Sequence, residues 1–294
     1  MGTHWTVTKD GIRLEVEAPQ PGERFLRGRL SFSEWGPDSE ATVALGLLSR
    51  KHRAFPLSEP WRGELEAPST RKKLRPGDDG RVDFELPYPA WMQPFRGSAL
   101  EIVLVALVRS SEGTTMRMPL QGMPAPSGTR HHLLKPVEKV MGPPRLPWLS
   151  ALLAKLGFRR ARRWHHLGEL RFRCEAIEED PPRIAVSVKG EKVGRRGKVE
   201  LVVAEFIYSD SSLYKYEPFW SVESPLEFSE SGEAKTRLAF PSPDEAPPAL
   251  LLPGTQIQHG ILWELRFHLE SRRGTTEQVD LPLSVSSVYP SGSG

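Results

Sequence analysis

The sequence predicts an all-β protein, two antiparallel β-sandwiches in tandem joined by a linker with one short cationic helix. The first observation behind this is an internal repeat. Residues 97–121 (GSALEIVLVALVRSSEGTTMRMPLQ) and 260–284 (GILWELRFHLESRRGTTEQVDLPLS) share a long apolar strand, a Gly-Thr-Thr turn and a short strand ending in Pro-Leu. Each copy follows a strand that closes on proline, Phe84-Glu85-Leu86-Pro87 in one and Leu238-Ala239-Phe240-Pro241 in the other. Repeats of this length point to β domains related by duplication. The second observation is composition: 28 Pro and 25 Gly suit many short strands joined by turns. The third is periodicity, which has a period of two along most of the chain and a helical period only once.

In chain order, Trp5 to Glu17 alternates apolar and polar residues and reads as a half-buried strand. Pro21-Gly22 turns the chain into a second strand, Phe25 to Phe32, and Thr42 to Leu48 is a third. A polar, proline-containing stretch runs to Gly80, followed by strands at Val82–Leu86, Leu100–Val108 and Thr115–Leu120. Six short strands between Gly and Pro turns describe a sandwich over residues 1–122.

Residues 123–167 read as a basic linker. Pro147 stands at a helix start, and Leu149, Leu152, Leu153 and Leu156 fall at i, i+3, i+4 and i+7, which predicts an amphipathic helix over 147–156. Arg159, Arg160, Arg162, Arg163, Trp164, His165 and His166 follow it. Between Thr129 and Arg173 there are 11 Lys and Arg against Glu138 and Glu169. That segment carries +9 in a chain of net charge +3, so the basicity is local.

A second sandwich is expected over residues 168–290, followed by a flexible tail, 291–294. Leu170, Phe172, Cys174 and Ala176 alternate with charged neighbours. Further strands read as Ile184–Val188, Val199–Tyr208, Ala234–Phe240, Ile261–Leu269 and Gln278–Val285. Gly190 to Lys198 is a hairpin turn with no phosphate-loop spacing. In the loop from Ser242 to Gly260, PPALLLPG (247–254) forms an apolar knot, exposed or covering a sheet edge.

Each half is long enough to bury its own core. Cys174 is the single cysteine, so no internal disulfide forms. The N-terminus lacks the regions of a signal peptide, and no window approaches ~18 apolar residues. A cytoplasmic protein is the expectation, with peripheral attachment to a membrane as the variant.

The candidate chemistry is sparse. Cys174 shares a strand face with Leu170 and Phe172 and reads as a small core hydrophobe. His131-His132 and His165-His166 are adjacent pairs, whose rings diverge on a strand or a helix. A metal-dependent enzyme would need them to combine with Cys174. Glu178-Glu179-Asp180 and Asp78-Asp79 adjoin Pro or Gly and read as solvated turns. No catalytic residue, cofactor or metal site is therefore assigned. The aromatic run of Tyr208, Tyr214, Tyr216, Phe219 and Trp220 offers either partner anchors or sandwich core, with Phe219 and Trp220 read as core.

Pro21-Gly22-Glu23-Arg24-Phe25 leading into a strand with internal Gly28 resembles the opening of arrestin-like first domains. Pro247-Pro248 ahead of Gly260-Ile261-Leu262-Trp263-Glu264-Leu265-Arg266-Phe267 is similar to that family's proline-rich stretch and following strand. Val279-Asp280-Leu281-Pro282-Leu283 resembles its domain end. The resemblance to the arrestin-like family, bacterial sporulation-control members included, spans nearly the whole chain in short motifs. It implies immunoglobulin-like sandwiches and a non-catalytic adaptor or scaffold whose partner is another protein. The forty-residue linker departs from the short hinge usual in that family.

The expected binding surface is Trp148, Leu149, Leu152, Lys155, Arg159, Arg160, Arg162, Arg163 and Trp164. A helix of this kind either docks on a partner or lies in an anionic headgroup layer, where each basic residue contributes about 1 kcal/mol. Nucleic acid is disfavoured because the rest of the chain is net acidic and holds no recognisable nucleic-acid module.

Overall fold

Alternation of apolar and charged residues sets the architecture, and almost every element is a strand. The computed structural model describes residues 4–17, 19–20, 23–33, 40–51, 63–111, 113–141, 169–177, 181–209, 212–253 and 257–289. The first ten strands are β1 (His4–Lys9), β2 (Ile12–Glu17), β3 (Phe25–Phe32), β4 (Ala41–Lys51), β5 (Gly63–Glu66), β6 (Lys72–Leu74), β7 (Arg81–Pro87), β8 (Phe95–Arg96), β9 (Leu100–Ser110) and β10 (Thr115–Leu120). They form two antiparallel sheets. One has the order β1-β2-β3-β7; the other runs β10-β9-β4-β5, with β6 also on β4 and β8 on β9. Ile12, Leu14 and Val16 turn inward while Arg13 and Glu17 stay in water. Most of β9 is buried on both faces, which is why it reads as a continuous apolar run.

The stretch Trp5–Glu17, expected as one strand, is a hairpin. Asp10 and Gly11 have φ of +48° and +74°, the backbone of a two-residue turn that matches strand twist. The sign was in the sequence: apolar positions are odd at Trp5 and Val7 but even from Ile12 onward.

The remaining strands are β11 (Arg130–Leu133), β12 (Val137–Met141), β13 (Leu170–Ile177), β14 (Arg183–Gly190), β15 (Val193–Ser209), β16 (Ser212–Glu227), β17 (Glu233–Ala239), β18 (Leu250–Leu252), β19 (Ile257–Ser271), β20 (Thr276–Leu283) and β21 (Val285–Val288). They make a β12-β13-β14-β17 sheet, a β16-β15-β19-β18 sheet with β20 on β19, and a β11-β21 pair. The order β1-β2-β3-β7 thus recurs as β12-β13-β14-β17, and β9 between β4 and β10 recurs as β19 between β15 and β20.

The repeat extends to individual hydrogen bonds. Ser110 N–H donates to Thr114 O and Gly113 N–H to Ser110 O, at 3.0 and 3.1 Å. Ser271 N–H to Thr275 O and Gly274 N–H to Ser271 O repeat this at 2.8 and 2.9 Å. In both turns the serine hydroxyl accepts from the threonine N–H at 3.3 Å. Gly113 and Gly274 hold φ of +85° and +78°.

The basic segment differs from its expectation as an irregular linker. β11 pairs with β21, Arg130 opposite Val288, and β12 pairs with β13, Val137 opposite Cys174. Both strands are short and rich in charge or histidine, too brief for a period of two to stand out. The expected helix over 147–156 lies outside the described residues, as does the tail 291–294. Among the described residues no helix is long and apolar enough to cross a membrane.

The hairpin expected between Gly190 and Lys198 is instead a turn at Glu191-Lys192 that carries the chain between sheets, since β14 pairs with β13 and β17 while β15 pairs with β16 and β19. Other expectations hold in detail. Within the expected apolar knot, Leu250–Leu252 is an edge strand on β19, Leu250 opposite Ile261, with Leu251 half exposed and Leu252 fully buried. Leu170, Phe172 and Cys174 lie together in the core.

Candidate functional site

The two sets of sheets meet along a seam, and the buried polar groups collect there. From Leu201 to Ile207, β15 is apolar on both faces except for Glu205, which is 0% exposed. Its carboxylate crosses to the turn between β8 and β9. Oε1 accepts from Ser98 N–H at 2.9 Å and Ser98 Oγ–H at 3.3 Å; Oε2 accepts from Ala99 N–H at 2.8 Å and Leu100 N–H at 2.6 Å. Three successive N–H groups therefore hold one buried carboxylate, replacing the water it loses. A methyl group at Gly97 would overlap that carboxylate, so the turn admits it only with glycine there.

A second bridge runs through His131. Gln93 Nε2–H donates to Ser287 Oγ at 3.1 Å, Ser287 Oγ–H to His131 Nδ1 at 3.1 Å, and His131 Nε2–H to Ala246 O at 2.9 Å. Those donors fix the neutral Nε2–H tautomer. Trp263 and Phe240 pack edge-on against the ring, 4.9 and 5.6 Å away. Burial pushes the imidazole down to about 4, partly offset by the backbone bond to Ala246.

Further contacts close the seam. Ser49 Oγ lies 3.1 Å from His259 Nδ1, Glu64 N–H donates to Pro253 O at 3.2 Å, and Phe95 and Phe219 stack 4.9 Å apart. Tyr289 O–H donates to Tyr88 O at 2.6 Å, while Arg24 sits 5.0 Å over the Tyr289 ring. Of nine buried polar or charged residues among those described, six lie at this seam: Ser49, Gln93, His131, Glu205, His259 and Ser287.

A second polar cluster sits on the β16-β15-β19 sheet. Arg266 Nη2–H donates to Tyr216 Oη at 2.5 Å and to Glu264 Oε1 at 2.6 Å, and Tyr216 O–H donates to Glu264 Oε1 at 2.6 Å. Burial and then the bond to Glu264 raise the Tyr216 phenol above its ordinary range. Neutral tyrosine here is a structural donor rather than a base.

The binding surface expected from the sequence, Trp148, Leu149, Leu152, Lys155, Arg159, Arg160, Arg162, Arg163 and Trp164, lies outside the described residues, as do His165-His166 and Glu178-Glu179-Asp180. His131 and His132 do point to opposite faces, His131 buried and His132 exposed. Among the described residues no group of three or more His, Cys, Asp and Glu is placed to hold a metal ion. Asp79 accepts the N–H of Arg81 in a turn, 3.1 Å. Phe219 and Trp220 pack half-buried against the core, and Tyr216 belongs to the polar cluster.

Cys174 is 0% exposed, and burial raises its thiol to about 11. Iodoacetamide is expected to leave it unmodified in the native protein and to alkylate it fully in denaturant, read by intact mass. Labelling at equal rates in both states would show that the β12-β13 edge opens.

Sequence reading missed Glu205 and Gly97. The available signal was one carboxylate inside the apolar run LVVAEFIY, because such a residue is buried only with partners. No family model matches the chain, and no curated protein matches it either.

Proposed function

We propose that this protein is a non-catalytic, arrestin-like adaptor or scaffold: two β-sandwich units in tandem that bind another protein. The units are built on residues 1–122 and 168–290, with β11 and β12 added to the second. The observation that carries this reading is where the buried polar groups go. Six of the nine serve the seam, where a carboxylate in three N–H groups and a relay through His131 hold one set of sheets against the other. Groups used this way fix geometry, whereas a reactive centre gathers polar groups in a cleft open to substrate. The frame leaves β16, sixteen residues long, last in its sheet. A strand rim is a ready template for a partner's chain. The recurring sheet order supports the tandem reading, and the arrestin-like motif residues Gly260 to Phe267 and Val279 to Leu283 fall on β19 and β20.

The test is affinity purification of the tagged chain from its own cells, beside a variant with Arg159, Arg160, Arg162 and Arg163 replaced by Ser. A near-stoichiometric protein partner is expected with the unaltered chain. Its loss in the Ser variant would put the contact on the linker, and its retention would put it on the sheets. Recovery of the chain alone under all salt conditions, or salt-sensitive sedimentation with anionic vesicles in place of a protein partner, overturns the adaptor reading.

A further inference from the structure

Prolines inside the described strands follow the sheet topology. Five lie within strands: Pro87 on β7, Pro119 on β10, Pro218 and Pro225 on β16, and Pro282 on β20. Each of these strands is hydrogen-bonded on one side only, since β7, β10 and β16 end their sheets and β20 pairs with β19 alone. The strands flanked on both sides, among them β4, β9, β15 and β19, carry no proline. Proline has no N–H to donate, so a sheet admits it only where the missing donor faces away from the neighbouring strand.

β16 is the longest of these rims, at sixteen residues, and its hydrogen bonds fix the direction of each N–H. Phe228, one residue past the strand, donates its N–H to Arg195 O at 3.1 Å. Directions alternate along a strand, so the N–H groups of Leu226, Ser224, Val222 and Trp220 also face β15. Those of Ser221, Glu223 and Glu227 then face outward, and position 225 is an outward one. The register shifts at Phe219, because Trp220 lies opposite Val203 while Pro218 lies opposite Ala204. That bulge reverses the parity, and before it the outward positions are Tyr214, Tyr216 and Pro218. Each half of the rim therefore has one outward donor deleted, by Pro218 in the first and by Pro225 in the second. Both proline side chains are exposed, so neither is held there by core packing.

We propose that Pro218 and Pro225 close the β16 rim to the β16 of a second copy of this chain, keeping copies from joining edge to edge. A second copy is the occupant such a rim selects by default, because it carries the same unpaired backbone groups at the protein's own concentration. Two-fold antiparallel pairing would set Ser221 opposite Glu227 of the copy and Glu223 opposite position 225. In that register every outward N–H meets an outward carbonyl except at Pro225. The missing donor strands the Glu223 carbonyl of the copy, and the pyrrolidine ring stands where the second strand would lie. The stretch Phe219–Ser224 keeps its outward donors at Ser221 and Glu223, which leaves room for a partner's short strand. The inference goes beyond the adaptor reading and does not depend on it.

The test is sedimentation velocity of the purified full chain over a range of concentrations, with thermal melts to confirm that each variant is folded. The wild type is expected to stay monomeric. Pro225→Val restores one outward donor in each copy and is expected to tighten self-association roughly tenfold or more. Pro218→Val combined with Pro225→Val is expected to tighten it further. Adding Ser221→Pro to Pro225→Val deletes another outward donor of the same half and is expected to return the monomer. Hydrogen exchange separates rim pairing from a loosened fold: the Glu223 N–H is expected to be slow in the associated Pro225→Val protein and fast in the wild type. A monomeric double variant, self-association that survives Ser221→Pro, or unchanged exchange at Glu223 overturns the inference. A wild type that already pairs through β16 as tightly as the variants overturns it too.

Discussion

Replacing Glu205 by alanine is expected to lower the free energy of unfolding by about 3–5 kcal/mol. The side chain is fully buried and accepts from the N–H groups of Ser98, Ala99 and Leu100. Its removal strands three donors in the seam, each at a cost of about 1–3 kcal/mol, with entering water recovering part of the total. Glu205→Gln is expected to fall between, because the amide keeps one acceptor but presents its own N–H₂ to backbone donors. Gly97→Ala should mimic the loss, since a methyl group there displaces the carboxylate. The two changes remove one seat, so the double variant should cost far less than their sum. Urea unfolding followed by tryptophan fluorescence measures all four. An unchanged midpoint for Glu205→Ala, or strict additivity with Gly97→Ala, would show that the seam does not depend on this carboxylate.

The second large effect is a pH dependence set by His131. Burial holds the folded imidazole at about 4, against 6.5 when the chain is open. Below 6.5 the unfolded state takes up a proton that the native state refuses, so stability falls with pH. The loss begins near pH 6.5 and is complete near pH 4. A shift of this size corresponds to about 3 kcal/mol. Protonation has a structural meaning too. Nδ1 accepts from Ser287 Oγ–H only while it carries no proton, so the imidazolium breaks the relay from Gln93. His131→Gln is expected to be less stable at pH 8, because Trp263 and Phe240 lose their ring contact. Its stability should also be flatter between pH 7 and pH 4. Carboxylates titrate in the same window, but they cancel in the difference between the two proteins. Parallel stability curves for wild type and variant would remove His131 as the source.

Much of the fold was legible because a period of two and turn chemistry are local. The Gly-Thr-Thr turns announced the repeat, and both close through the same serine-centred hydrogen bonds. Cys174 was readable as core from its strand neighbours alone. The Asp10-Gly11 hairpin was present as a change of parity and a turn dipeptide. β11 and β12 were hidden for a different reason. Strands of four and five residues carry too few alternations to be told from a basic loop, and their pairing partners are remote in sequence.

The sequence by itself determined an all-β chain, its repeated strand–turn–strand unit and the inward residues of most strands, because each follows from neighbours a few positions apart. Only the tertiary structure decided that Glu205 meets the turn at Ser98 and that Gln93 meets Ser287. Those pairings depend on strand register and on packing between separate sheets, which short-range patterning does not encode.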